Sequence, residues 1–157
     1  MSHALLFVCT GNIFRSMVAE YAVRAQIGSP PRYRIESAGI EAKPQTIHPV
    51  IRARLLQKGA DPSHHVQQGL TKELIDRTDL VIAMSQNHQT FIRERFGVTA
   101  PLFNEVSFDT RTSILDLHEA IPDWERDLLR ARDYVESVID QIWDAVPALL
   151  ARLPRYL

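Results

Sequence analysis

Two kinds of apolar run alternate along the chain, and together they predict its elements. Ala4–Cys9 and Leu80–Met84 are continuously apolar and bounded by polar or turn residues, the pattern of strands buried on both faces. Tyr33–Ser37, closing at Ala38-Gly39, and the short segment Pro101–Phe103 read as two further strands. Between them apolar residues recur at helical spacing. Ser16–Ile27 carries Val18, Ala19, Ala22, Val23 and Ala25 on one side and stops at Gly28-Ser29-Pro30-Pro31. Pro49–Lys58 is a helix ended by Gly59, Thr71–Arg77 a short helix with Thr71 as N-cap, and Gln86–Phe96 a fourth. Trp124–Leu153 reads as one long helix, interrupted or kinked at Pro147.

Strands alternating with helices predict a single three-layer α/β/α domain, residues 1–157, with a four-stranded parallel sheet. Ligands of such sheets bind beyond the carboxyl ends of the strands, near the point where strand order reverses. A length of 157 residues suffices for one full core. A formal net charge of −1 provides no field for nucleic acid or an anionic membrane, and no apolar run nears the roughly 20 residues of a membrane span. Basic residues are mostly arginine, 15 against 3 lysines, and most fall on predicted helix surfaces. A single cysteine rules out an internal disulfide and suits a reducing compartment, so the expected location is cytoplasmic.

That cysteine ends the first strand, and the loop after it carries the chemistry. Cys9-Thr10-Gly11-Asn12-Ile13-Phe14-Arg15-Ser16 leads from the strand into a helix. A tight loop turning its N–H groups inward beneath a helix N-terminus is an anion cradle, and its partial positive charge favours thiolate over thiol at Cys9. Arg15 in the first helical turn opposes the helix dipole unless an anion sits beside it, and its planar fork grips two oxygens of a phosphoryl group. The backbone N–H groups of residues 10–16 would surround the same anion. Gly11 and Asn12 suit the positive φ angles such a curl needs. The six histidines show no metal-binding spacing, and no metal or cofactor is expected.

The loop, with Ala19-Glu20 just beyond, resembles the phosphate-binding loop of low-molecular-weight protein tyrosine phosphatases, Cys-x-Gly-Asn-x-x-Arg-Ser near the N-terminus. The resemblance continues in order through Ser37-Ala38-Gly39, His65 ahead of Leu70-Thr71, Asp79–Met84 and Pro122-Asp123. It implies a flavodoxin-like, phosphatase I-like fold and hydrolysis of protein phosphotyrosine through a phosphocysteine intermediate. Cys9 would be the nucleophile, Arg15 the phosphoryl clamp and Asp123 the general acid and base, with Asp116, Glu119 and Asp127 as nearby rivals. Asp123 could also cap the long last helix. By resemblance Asn12 ties the loop together with His65 as partner for its side chain, and the Ser16 hydroxyl stabilises the thiolate. Phosphate and vanadate would inhibit, and the chain would be a monomer or weak dimer.

The sequence also departs from the family pattern. Trp124-Glu125-Arg126 stands after the acid where proline and tyrosines are usual, and Trp124 could either wall the substrate cleft or anchor the helix in the core. Phe14 stands where many members carry a second cysteine, leaving no partner thiol to protect an oxidised Cys9. Ile40–Lys43 lacks a common aromatic cleft wall. Arsenate reduction needs further thiols that are absent here, and protein-arginine phosphatases generally carry Thr at the position of Ile13. The reading from another functional class is a phosphate-binding module that keeps the loop but lacks a working acid.

Overall fold

A computed structural model describes residues 2–157. Strand β1 (His3–Cys9) is central, hydrogen-bonded in parallel to β2 (Tyr33–Gly39) on one side and β3 (Leu80–Ala83) on the other. The register sets Cys9 beside Gly39 and Val8 beside Ala83, so the three carboxyl ends finish together. Alternation along β1 divides the core. Leu5, Phe7 and Cys9 face the layer of helices α1 (Arg15–Gln26), α2 (Pro49–Gln57) and α7 (Leu128–Arg152). Leu6 and Val8 face the opposite layer, where α3 (Lys72–Asp76) and α4 (Gln86–Phe96) contribute Leu74, Ile75 and Ile92. Both sides of the strand are therefore apolar, as its unbroken hydrophobic run requires.

Among the described residues the sheet has three strands rather than four. Pro101 has no N–H for a ladder, and the next N–H, that of Leu102, is taken by the Glu105 side chain at 3.1 Å. Pairing with β3 is thus confined to one bridge, Ala83 to Leu102, and the chain turns at once into helix α5 (Phe103–Phe108). The expected last helix also divides. Trp124–Arg126 forms a 3₁₀ turn, and the Asp127 side chain accepts from the Arg130 N–H at 3.1 Å to cap α7. A short helix, α6 (Leu117–Ala120), precedes that turn with Asp116 as its cap. Pro147 does not end α7. The carbonyl of Trp143, four residues earlier, accepts instead from Gln26 Nε2 on α1 at 3.1 Å.

Helix α7 is also fastened to α2 by ions. Arg54 reaches Asp140 through Nε at 3.0 Å and Nη2 at 2.6 Å, and Lys58 adds a contact at 2.9 Å. The Arg54 hydrogen bonds hold the Asp140 carboxyl down at about 2. Among the described residues no helix is long and apolar enough to cross a membrane.

Candidate active site

The loop after β1 is shaped by contacts that its own residues and the end of β2 make. Gly39 faces the loop so closely that a Cβ there would lie 2.5 Å from the Thr10 carbonyl oxygen and 2.9 Å from the Asn12 nitrogen. The N–H groups of Ile40 and Glu41 bond the carbonyls of Cys9 and Thr10, both at 2.9 Å. Asn12 takes a left-handed conformation with φ of 55°. Gly11, expected to share it, does not; a Cβ there would rest 3.5 Å from the Gln45 side chain.

Asn12 is fully buried and acts as the knot of the loop. Its Nδ2 donates to Ser16 Oγ at 3.0 Å and to Ser37 Oγ at 2.8 Å, while its Oδ1 accepts from the Gln68 N–H at 3.0 Å. Ser37 donates in turn to Glu20, a carboxyl whose pKa burial raises although Ser37 and Arg24 draw it down. His65 makes its hydrogen bond not with the Asn12 side chain but with the backbone, its Nε2 donating to the Asn12 carbonyl at 2.8 Å. Gln67 Nε2 holds the Gly11 carbonyl at 2.7 Å. Ser16 Oγ, already accepting from Asn12, lies 2.9 Å from the sulfur of Cys9 and 3.4 Å from the Ala38 carbonyl, so a thiolate would be the nearer acceptor of its proton.

Helix α1 opens immediately above that sulfur with no side-chain cap on its first turn. Its leading N–H groups are therefore left for an anion to satisfy. Arg15, the first helical residue, is buried at 1% exposure. Its Nη1 donates to Ser85 Oγ at 2.9 Å and to the Ile114 carbonyl at 2.8 Å, and its Nη2 to Thr10 Oγ1 at 3.3 Å. Two carboxylates stand farther off, Asp116 at 3.6 Å and Glu119 at 3.8 Å. Ser85 caps α4 and His88 completes the box: the ring's Nδ1 accepts from the Ser85 N–H at 3.1 Å, and its Nε2 lies 2.9 Å from Thr10 Oγ1. Burial, and then the charge of Arg15, push the His88 pKa down to about 3.

The loop forms the floor of a cleft of about 750 Å³. Cys9, Thr10, Gly11, Ile13, Phe14 and Arg15 all line it, whereas Asn12 and Ser16 are buried behind it and His65 supports it from the rear. Trp124 forms part of the cleft wall with Leu117, Leu128 and Leu129, and Glu41 and Lys43 occupy the side without an aromatic residue. Asp123 is exposed and is not part of the lining. Asp116 is: one carboxylate oxygen accepts the Leu117 N–H at 2.8 Å at the start of α6, and the other approaches Arg15. Among the described residues, no three His, Cys, Asp or Glu side chains converge as a metal site would.

Ser85 and His88 are site residues that the sequence reading missed. The spacing of a serine cap and a polar residue three positions on, just after a buried strand, is their available signal. The roles of Leu117, Leu128 and Leu129 had none, because their neighbours in sequence do not indicate which way they face.

A cysteine at a strand end, an uncapped helix N-terminus and a buried arginine stand together here, an arrangement that can hold an oxyanion. The family model described as low molecular weight phosphotyrosine protein phosphatase matches residues 4–156, and the chain belongs to that family. It is a phosphatase. A low molecular weight protein-tyrosine-phosphatase, Ptp, of Acinetobacter johnsonii is 30% identical over 139 residues, spanning 78% of this chain and 95% of that one. A protein-arginine-phosphatase of Geobacillus stearothermophilus is 32% identical over 149 residues, spanning 90% and 95%. Among solved structures, a YwlE mutant from Bacillus subtilis aligns with a TM-score of 0.82 at 26% identity, covering 98% of this chain and 99% of that one.

Proposed function

We propose that this phosphatase hydrolyses phosphotyrosine in proteins through a phosphocysteine intermediate. The observation that carries the reading is the Cys9 sulfur lying beneath an uncapped helix N-terminus, with Ser16 Oγ at 2.9 Å and buried Arg15 beside it. In the first step Cys9 Sγ attacks phosphorus, the S–P bond forms and the P–O bond to the phenol breaks. Arg15 and the loop N–H groups bear the charge on the equatorial oxygens. In the second, water attacks phosphorus, the S–P bond breaks and the thiolate returns.

Asp116, rather than Asp123, is the acid of this reading. It would protonate the leaving phenolate oxygen and later take the proton of the attacking water. Its support is geometric: Asp116 lines the cleft beside Arg15, and Asp123 does not. Preference for a phenolic ester rests on Ile13, Phe14, Trp124 and Leu117, apolar side chains around the cleft that would pack on a ring. A cytoplasmic location belongs to the same reading, since a lone free thiol persists in a reducing compartment.

One observation favours phosphoarginine as a second reading. Glu41 and Asp116 both line the cleft, where a guanidinium would find carboxylate partners, and two relatives are named protein-arginine-phosphatases. The test is hydrolysis of p-nitrophenyl phosphate without metal by wild type and Cys9→Ser, followed by kcat/KM on matched phosphotyrosine and phosphoarginine peptides. Turnover lost in Cys9→Ser, inhibition by vanadate and a preference for the tyrosine peptide are expected. Phosphate or vanadate binding without turnover in wild type would make the chain a binding module.

A further inference from the structure

We propose that the Thr10 hydroxyl donates a hydrogen bond to a phosphoryl oxygen of the substrate, and that His88 is the positioning residue that aims it. The inference rests on the phosphatase reading of the loop and adds two side-chain roles to it.

His88 Nδ1 faces the backbone N–H of Ser85 at 3.1 Å, and an N–H can only donate, so Nδ1 is the accepting nitrogen of the ring. The proton of the neutral ring is then on Nε2, which must donate across 2.9 Å to Thr10 Oγ1. Arg15 Nη2 donates to the same oxygen from 3.3 Å. Both lone pairs of the Thr10 hydroxyl are thereby occupied, and neither partner can accept its hydrogen. That hydrogen is left for a third direction, and Thr10 stands on the cleft wall beside Cys9.

The burial of His88 keeps the arrangement fixed, because a second ring proton would meet the Ser85 N–H head-on. Arg15, Ser85, His88 and Thr10 are thus linked, with Arg15 Nη1 and the Ser85 hydroxyl both donating to the Ile114 carbonyl and the Thr10 hydroxyl proton left over for an anion. A bond of that kind, O–H to a charged phosphoryl oxygen, changes affinity by about tenfold to a hundredfold.

The experiment measures vanadate affinity and kcat/KM on p-nitrophenyl phosphate for wild type, Thr10→Ser, Thr10→Val, His88→Leu and the Thr10→Val/His88→Leu double variant. Thr10→Ser should retain affinity within about threefold, and Thr10→Val should lose about tenfold or more, although its shape is the same. His88→Leu should lose less than Thr10→Val, and the double variant should be no worse than Thr10→Val alone, because the histidine acts only through the threonine. If His88→Leu does not fold, the Ser and Val pair decides the question. In an Arg15→Lys background Thr10→Val should still weaken vanadate binding. If that loss vanishes there, the hydroxyl acts on Arg15 and not on the ligand, and the proposal falls. It falls equally if Thr10→Val matches wild type, or if the double variant shows fully additive losses. Absence of turnover in wild type would instead count against the phosphatase reading, which the affinity measurements do not depend on.

Discussion

The two walls of the cleft are built by different means. The floor, residues 9–16, is a loop cross-bonded by buried side chains: Asn12 and Ser16 are fully buried and Arg15 exposes 1%, while Thr10, Gly11 and Ile13 are partly exposed. The facing wall, from Asp109 to Leu129, consists of a four-residue helix, a 3₁₀ turn and two consecutive leucines exposed by 66% and 75%. In the proposed reaction the floor must hold charge in one geometry before the substrate arrives, so its buried side chains are cross-bonded behind the cleft while the first N–H groups of α1 are left for the anion. The wall would, in that reaction, meet the leaving group and release the product, and its helical pieces are only four and three residues long. Phosphate binding in the proposed reaction is preorganised by the floor, and the proton comes from a segment tied down at Ile114, through Arg15 and Met84, and at Leu115, through Tyr134.

The comparison predicts that damage to the floor costs most. Cys9→Ser should reduce p-nitrophenyl phosphate hydrolysis to background, and Arg15→Lys should lower kcat by about a hundredfold to a thousandfold, since lysine cannot copy the fork. Steady-state assays check both. Gly39→Ala, outside the loop but pressed against it, should destabilise the fold by about 1–3 kcal/mol in urea unfolding because its Cβ has no room beside the Thr10 carbonyl.

Acid sensitivity sharpens the same contrast. His88 titrates near 6.5 when unfolded and about 3 when folded, so between those values the unfolded chain binds the extra proton. Stability is then whole above about pH 6.5 and falls as the pH drops toward 3, by up to about 1.4 kcal/mol per pH unit. Glu20, with its folded pKa raised, acts in the opposite sense just above its ordinary value of 4.5, while Asp140 contributes only below 3.8. Urea midpoints of wild type and His88→Gln should therefore converge as the pH falls from 6.5 to 5. Parallel curves would show that His88 is not the group responsible. The smallest effect belongs to the wall: Asp127→Ala removes the α7 cap and should cost about 1 kcal/mol in thermal unfolding, with little change in kcat.

The same contrast explains what the sequence reveals. The chemistry of the floor is local: strand, cysteine, loop, arginine and helix start lie within sixteen residues, and each residue type has its own physical reason to be there. The three long strands and α1 were legible from apolar runs for the same cause. The wall is set by contacts distant in sequence. Pro101–Phe103 looked like a strand, yet the Glu105 side chain captures the N–H that a ladder would need. Trp124–Leu153 looked like one helix because its periodicity continues through Asp127, while capping divides it there. Asp116 and Asp123 sit in equally polar surroundings in sequence; only the fold turns one toward Arg15 and leaves the other exposed. His65 was expected at the Asn12 side chain and meets its carbonyl instead, a distinction that no spacing rule makes.

The most direct test of the account is kcat on phenyl phosphate, a poor leaving group that needs its proton, for Asp116→Asn and Asp123→Asn side by side. Asp116→Asn should fall by about a hundredfold or more while Asp123→Asn stays within about twofold of wild type. The reverse ranking would contradict the assignment of the acid to the cleft wall and return it to the exposed turn.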